Sequence, residues 1–406
     1  MIAFCHVLLQ WGPSIMISRP DYLSRAGSPS RVLLSALFVL LLLTPAAADE
    51  TDQFTLPTDQ PFADLGDYFN LVHYRVLEEV VEDFNRDVER ALRVQNEAER
   101  ERRMEAMHDP GLIADRVRAK WGPGFFEMRA LEDLLHSRNM RETYPDQYTA
   151  YRDPFWIYFY THLPIDPRKL VLLFQASTVK AYGVYFGTDK WGHFHDLGHF
   201  YFSDLHRMRG RGMEDEEALR RIVHEYSQGP ISEATTIGLW ATGVYSNADL
   251  ASNYAGMLFY QNLREPVELQ GETHEPLMVR IGPFLALNKH VRPESAFLKP
   301  FITDHWNEAL NPNLYEWGMR GPIRSRMEAM ADDILKFYCD LDGRPRSPEY
   351  FNELAVELST YFGKDYGHSG IDDRIITIGD ACFPESESAD DDAETDETPL
   401  EQAAAR

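Results

Sequence analysis

The sequence predicts a mainly α-helical protein, and two observations indicate this class. Apolar residues recur at intervals of three or four along residues 64–107, which is the spacing of one helical face. Strand-like character is concentrated in one stretch, 277–287, which Gly282 and Pro283 interrupt. Hydrophobic residues make up 44% of the 406-residue chain, enough to bury a sizeable core. We therefore expect a compact multi-helix bundle with at most a short β-hairpin or extended excursion, followed by a disordered acidic C-terminal tail.

Helices are predicted along most of the chain from the same periodicity and from helix start and stop signals. The first, within 64–107, becomes mostly charged after Leu92 and should project or lie at the surface from there on. The others are expected at about 112–120, 124–138, 167–182, 188–207, 213–227, 231–241, 247–263, 322–341 and 347–361.

The N-terminus has the order of a secretory signal peptide. Arginines precede an apolar run at 32–43, and an Ala-x-Ala pattern follows that run. The run is shorter than the roughly 20 apolar residues that a spanning helix needs. We expect residues 1–48 to be a signal peptide cleaved near Ala48, which exports the chain to the periplasm or cell envelope and leaves no transmembrane helix in the mature chain.

The remaining chain is expected to form one domain, 49–383, because neither an internal repeat nor a low-complexity linker divides it. Within it, a larger helical body at about 62–265 precedes a smaller helical part at about 300–383. Residues 384–406 carry nine acids and one arginine with almost no apolar side chains, which predicts a disordered tail.

The charge balance narrows the choice of partner. The full chain has a formal net charge of −25, which disfavours binding to nucleic acid by charge. A partner in the envelope or at a membrane surface fits an exported protein, but the sequence does not identify one. Cys339 and Cys382 remain after cleavage, and the sequence is equally consistent with a disulfide between them and with two separate thiols.

A polar stripe on the helix predicted at 188–207 is the strongest candidate for a functional centre. Its other side chains are largely apolar and aromatic, so these polar groups should be buried and need hydrogen-bond partners. Lys190 lies beside the stripe, where an exposed cation is the alternative interpretation. The stripe consists of Asp189, His193, Asp196, His199 and Ser203.

A second stripe is predicted at the start of the helix at 247–263. Ser246 and Asp249 have the spacing of a capping box, and Asn253 and Gly256 continue the same face. A glycine in such a stripe allows close backbone approach, so we expect the two helices to cross closely and exchange hydrogen bonds. Glu233 adds an acid in the Gly- and Thr-rich segment between them.

The order of these motifs resembles that of a known group of proteins. Asp-Lys-x-x-His-Phe at 189–194, then Glu233, then Ser-x-x-Asp-x-x-x-Asn-x-x-Gly at 246–256 is similar to the pattern in VanZ-like proteins and YfiM-like bacterial cell-envelope proteins. The resemblance implies a helical envelope protein without an established molecular activity, linked in the VanZ-like case to glycopeptide resistance. It covers about 70 residues, and this chain differs in its charged character and in carrying His195 and His199.

A metal site is the alternative to a purely hydrogen-bonded seam. His195 and His199 have the i, i+4 spacing with which two histidines bind one ion, and His193 is a further ligand. Asp196 or Glu233 would then complete the site or act as the catalytic base. The cofactor would be a divalent metal such as Zn, Fe or Mn, although the stretch lacks the HExxH pattern of zinc proteases.

A stretch at 304–326 combines aromatic side chains with acids and arginines. It is predicted either to line a cleft for an anionic or sugar ligand or to be a surface loop that enters an amphipathic helix. The sequence contains neither a Gly-x-Ser-x-Gly nucleophile motif nor a Gly-rich phosphate loop. Two hypotheses follow: an exported helical protein whose polar seam has a structural or binding role, or a metal-dependent hydrolase.

Overall fold

The computed structural model describes residues 60–122, 131–152 and 176–383, apart from 236, 241, 362–363 and 366–373. All of them belong to one unit of the chain, Pro45–Arg406. The expected signal peptide and acidic tail lie outside the described residues, as do most of the helix expected at 167–182 and part of that at 124–138. The described residues are mainly helical, as predicted.

Four helices lie wholly within the described residues of the N-terminal part: α1 (Gly66–Leu92), α2 (Glu97–Met107), α3 (Pro110–Trp121) and α4 (Arg138–Thr143). Residues 131–135, in the described part of the helix expected at 124–138, are also helical. The helix predicted over 64–107 is therefore two helices. Asn96 begins the second by accepting a hydrogen bond from the Glu99 N–H at 3.0 Å. The predicted apolar stripe of α1 is buried at Phe69, Val80, Phe84 and Val88, with Leu77 alongside.

The central part is helical from Asp189 to Gly210, but in three segments. They are α5 (Asp189–Gly192), a π turn (His193–Leu197) and α6 (Gly198–Gly210). Next come α7 (Asp215–Gln228) and α8 (Asn247–Asn262), in which every residue except Gln261 is buried. Because α8 is covered on all sides, its polar residues must be satisfied by neighbouring segments.

Two glycines bring the central helices into direct backbone contact. A Cβ atom placed on Gly256 would lie 2.0 Å from the Phe194 carbonyl oxygen, and one on Gly198 would lie 2.6 Å from the Gly256 Cα. Side chains larger than hydrogen do not fit at such distances. The close helix crossing predicted from Gly256 is therefore confirmed.

In the described part of the chain, the strands form five short antiparallel pairs. They are β1 (Thr178–Ala181) with β2 (Val184–Gly187), β3 (Val244–Tyr245) with β8 (Leu314–Tyr315), β4 (Val267–Leu269) with β5 (Glu272–His274), β6 (Met278–Ile281) with β7 (Phe284–Leu287), and β9 (Thr360–Tyr361) with β10 (Lys364–Asp365). The hairpin predicted within 277–287 is confirmed as β6–β7, and Gly282 turns it with a φ of +60°.

Two expected helices are wrong within the described residues. Strand β1 replaces the end of the helix expected at 167–182, because Tyr182 and Gly183 both have positive φ and turn the chain back into β2. Residues 231–235 and 237–240 form bends and turns instead of the helix expected at 231–241. Gly238 packs so tightly on Glu233 that a Cβ there would lie 2.2 Å from the Glu233 carbonyl oxygen.

The C-terminal part contains α9 (Trp317–Ala329), α10 (Ala331–Phe337), α11 (Pro348–Leu358) and α12 (Ile378–Ala381), with two 3₁₀ turns before them at Lys299–Phe301 and Asp304–Trp306. The core falls into two clusters, a large one that runs from Ala63 to Ile375 and a smaller one around α9 and α11. Cys339 and Cys382 do not form a disulfide. Among the described residues, no helix has the length and apolar character needed to cross a membrane.

Candidate functional site

A fully buried ammonium group lies at the centre of the molecule. Lys190 Nζ is 2.6 Å from Asp189 Oδ2, 2.5 Å from Asp249 Oδ1 and 2.8 Å from Glu308 Oε1. All four side chains are completely inaccessible to solvent. The expected polar seam therefore exists, and Lys190 is its central cation instead of a surface residue. We call these four side chains the Lys190 cluster.

His193 extends the cluster along α8. Its Nε2 lies 3.0 Å from Asp249 Oδ2, and its Nδ1 lies 3.0 Å from the side-chain amide of Asn253. Either orientation of that amide serves the histidine: the oxygen accepts from Nδ1–H of a charged ring, and the NH2 group donates to Nδ1 of a neutral ring. In the second orientation the NH2 group also reaches the His193 carbonyl at 3.2 Å and the Asp249 carbonyl at 3.3 Å.

Ser246 connects the start of α8 to two buried acids. Its Oγ accepts the Asp249 N–H at 3.1 Å, which confirms the predicted helix cap, and the same hydroxyl donates to Glu308 Oε1 at 3.0 Å. The second half of a capping box is absent here, because the Ser246 N–H donates to Glu233 Oε1 at 3.0 Å. Glu233 thus replaces Asp249 at the cap and leaves the Asp249 carboxylate for Lys190 and His193.

Burial and neighbouring charges shift the acid pKa values in opposite directions. Burial, aided by the negative charge of Asp249, raises the pKa of Asp189 to about 7 and that of Glu233 to about 8. Burial acts on Asp249 in the same direction, but the positive charges of His193 and Lys190 outweigh it and hold the pKa of Asp249 below its usual range.

Burial alone would lower the pKa of His193, but the charge and hydrogen bond of Asp249 outweigh burial and raise that pKa to about 9. Asp189, Glu233 and His193 consequently keep their protons to a higher pH in the folded protein than in the unfolded chain, and we call them the proton-retaining groups. Their protons offset part of the negative charge that four buried carboxylates would otherwise carry.

Three of these side chains could also hold a metal ion. Asp189, His193 and Asp249 each offer one ligand atom, and these atoms all lie within 4.8 Å of one another. Asp189 Oδ1 is buried without a hydrogen-bond partner, and His193 Nε2 lies 3.0 Å from Asp249 Oδ2. Carboxylate oxygen with imidazole nitrogen is a ligand set suited to divalent metals.

The structure does not bring the three predicted histidine ligands together. His193 faces α8, whereas His195 Nε2 lies 3.0 Å from His73 Nε2 in α1. His199 Nε2 lies 2.9 Å from Asp115 Oδ1 in α3. The three side chains thus point to three different helices. The predicted metal site of His193, His195 and His199 is not formed.

The two predicted catalytic acids are also separated. Asp196 lies 2.6 Å from Arg118 Nε, on the α3 side of the helix, whereas Glu233 lies in the seam beside Ser246. The single stripe expected from Asp189 to Ser203 is therefore split by the π turn. Its first half faces α8, and its second half faces α3.

Two residues of the centre were not recognised as such from the sequence. Glu308 comes from the irregular segment after the second 3₁₀ turn, within the 304–326 stretch that the sequence predicts to be either a cleft lining or a surface loop. His73 was not singled out, although it lies four residues from Phe69 and from Leu77 on the buried face of α1. A histidine on the otherwise apolar face of α1 was the sequence feature that could have identified His73 as a buried polar residue.

His73 and His195 form a second buried polar pair. His73 Nδ1–H donates to the Phe69 carbonyl at 2.8 Å, so a neutral His73 accepts at Nε2 and His195 donates. Burial lowers the pKa of His73 to about 3 and holds that of His195 well below its usual value. His195 also stacks on Trp121, with ring centroids 4.1 Å apart. These two imidazoles are therefore neutral members of the core.

No family model, no curated protein and no solved structure matches this chain.

Proposed function

We propose that this chain is an exported helical protein of the cell envelope, that its helices pack as a compact bundle, and that the buried seam has a structural role in holding them. One observation carries the structural role. The Lys190 ammonium is within 2.8 Å of carboxylates from three separate segments, and none of the side chains concerned is exposed to solvent. A group enclosed in this way has no surface to offer to a substrate.

The energetics of buried charge support a locking function. Moving a charge from water into a protein interior costs several kcal/mol, which is recovered only when its partners are close and well placed. Removing one partner leaves the others buried and uncompensated, at a cost of about 3–5 kcal/mol. The seam therefore favours one arrangement of α5, α8 and the Glu308 segment over slipped alternatives.

The test is the replacement of Lys190 by methionine, which keeps the length of the side chain and removes its charge. We expect Lys190→Met to lower the free energy of unfolding in urea by about 3–5 kcal/mol. Lys289→Met is the matched control, because Lys289 is exposed, and it should change stability by less than about 0.5 kcal/mol. A Lys190→Met protein as stable as the control would contradict a structural role.

A second variant tests whether Lys190 acts through charge balance. If Lys190 serves only to neutralise the acids, Lys190→Met combined with Glu308→Gln should recover part of the lost stability, because it removes one uncompensated charge. A double variant less stable than Lys190→Met would argue against charge balance as the function of the seam.

Export is supported by the basic, apolar and Ala-x-Ala order of residues 1–48. We expect the N-terminal sequence of the protein recovered from the envelope fraction of an expressing bacterium to begin near Asp49. An uncleaved N-terminus in the cytoplasmic fraction would contradict export.

The second candidate is a metal-dependent enzyme, most simply a hydrolase that uses Zn, Fe or Mn. The convergence of Asp189, His193 and Asp249 within 4.8 Å favours it. A bound ion would share the Asp189 and Asp249 carboxylates with the Lys190 ammonium, and hydrolysis would require the site to open because it is buried. When bound, the metal would lower the pKa of a coordinated water.

Metal analysis of protein purified without a histidine tag tests this candidate. A stoichiometric metal that is lost in His193→Ala but retained in His199→Ala supports it, because only the first imidazole belongs to the group. Metal-free protein after refolding with Zn, Mn or Fe would rule it out.

A further inference from the structure

A groove on the surface of α9 is separate from the buried seam. It has a volume of 510 Å³, within the range of about 300–1,000 Å³ typical of small-molecule sites. It is lined by Trp317, Gly318, Arg320, Gly321, Pro322, Arg324 and Ile376. These residues come from the stretch whose mixture of aromatic and basic side chains predicted either a cleft or a surface loop.

Trp317 presents its indole ring to solvent. The residue is 89% exposed, although the other face of the same helix is buried through Met319, Ile323 and Met327. A tryptophan buries about 150–250 Å² when it is covered, so an indole left open forgoes a large apolar gain. An exposed aromatic ring in a concave site is the usual platform for a flat ligand ring.

The floor next to the tryptophan is open. A Cβ atom built on Gly318 or on Gly321 would have no neighbouring atom within 4 Å. These two positions next to Trp317 therefore leave room for a ligand ring.

The arginines give the groove a local positive charge in an acidic protein. Arg324 donates one hydrogen bond, from Nη1 to the Asp380 carbonyl at 3.2 Å, which engages one of its five N–H groups. Residues 316–326 carry three arginines and one glutamate, whereas the whole chain has a net charge of −25. A guanidinium binds carboxylate or phosphate through two parallel hydrogen bonds.

We propose that this groove binds a short saccharide that carries one acidic group, a carboxylate or a phosphate. The apolar face of the sugar ring packs on Trp317, and the acidic group is bound by Arg324 with Arg320 beside it. A long polyanion is disfavoured, because the negative charge of the rest of the protein repels it beyond the reach of these arginines. The proposal is independent of the role of the Lys190 cluster.

The experiment compares two disaccharides that differ only in one carboxylate. Binding of cellobiouronic acid and of cellobiose to the whole protein is measured by calorimetry, with glucose 1-phosphate as the phosphate counterpart and inorganic phosphate as the sugar-free anion. We expect cellobiouronic acid to bind at least about tenfold more tightly than cellobiose. Sugar phosphate should bind more tightly than inorganic phosphate.

Two variants and two matched controls assign the binding to the groove. Trp317→Ala should weaken binding of the acid sugar by at least about tenfold, and Arg324→Gln should abolish the preference over cellobiose. Trp240→Ala and Arg344→Gln alter an exposed tryptophan and an exposed arginine elsewhere and should change nothing. Circular dichroism verifies that all four variants are folded.

Several results would overturn the proposal. They are the absence of binding by any of these sugars at millimolar concentration, equal affinity for the acidic and neutral disaccharides, and binding that Trp317→Ala leaves intact. Tighter binding of a ten-nucleotide oligothymidylate, or of phosphatidylglycerol vesicles, would assign the groove to a different class of ligand and would equally overturn it.

Discussion

Replacement of Gly256 by alanine tests the packing on which the seam depends. The added Cβ would lie 2.0 Å from the Phe194 carbonyl oxygen, whereas ordinary contact begins near 3.4 Å. The two segments must therefore separate locally by about 1.4 Å, the difference between these distances. The obstruction is backbone on both sides, so no side-chain rotation relieves it.

The expected loss follows from two opposing terms. Overpacking of a core costs about 1–3 kcal/mol, and a clash between backbones belongs at the upper end. Alanine gains about 1 kcal/mol over glycine in helix propensity. We therefore expect Gly256→Ala to lower the free energy of unfolding by about 2 kcal/mol, and by more if the separation also lengthens the contacts of Lys190 with Asp249.

Urea denaturation followed by circular dichroism at 222 nm measures this loss. Gly192→Ala is the control, because Gly192 is helical and its added Cβ would meet no atom within 4 Å. That variant should be more stable than the unmodified protein by up to about 1 kcal/mol. If Gly256→Ala were as stable as Gly192→Ala, the close crossing of the π turn and α8 would be refuted.

Three further predictions concern protons, the helix cap and the thiols. The free energy of unfolding should fall from about pH 7.5 to pH 9, because the proton-retaining groups bind more protons folded than unfolded in this range, by about 1.4 kcal/mol per pH unit for each proton retained in excess. Below about pH 7 the buried neutral His73 and His195 oppose this fall, because they bind protons only on unfolding. A flat profile above pH 7.5 in pH-dependent denaturation would contradict the pKa shifts of the proton-retaining groups, and His193→Gln should reduce the slope there. Ser246→Ala should cost about 0.5–2 kcal/mol through the lost cap alone, measured by the same denaturation, and no loss would refute the cap. In native protein, Cys382 should react with a thiol reagent far more slowly than Cys339, because burial raises the pKa of Cys382 to about 12. In denaturant the two thiols should react at similar rates. Equal rates in native protein would contradict the burial of Cys382.

The sequence was most informative where the chemistry is local. Ser246 as a helix cap, Gly256 as a point of close approach, and the pairing of the Asp189 and Asn253 faces all depend on spacing along one helix. Buried polar residues in an apolar helix must find partners, so the juxtaposition of the two stripes followed from the sequence. The mainly helical class rests on the same periodicity.

The rest depended on contacts that spacing does not encode. Glu308 reaches Lys190 across 118 residues from an irregular segment. His195 and His199 were grouped with His193 because a regular helix was assumed. The π turn breaks that regularity, and its side chains reach three different helices, α1, α3 and α8.

The π turn also fixes the rotational phase of everything that follows it. An α-helix turns by about 100° per residue, and a π turn accommodates one residue more than the α-helical turn it replaces. Shortening the turn by one residue would restore a regular helix but swing Gly198 away from Gly256, and His199 away from Asp115. The π turn therefore joins two helical faces, one that contacts α8 and one that contacts α3. A regular helix over the same residues would not direct both sets of side chains to these partners.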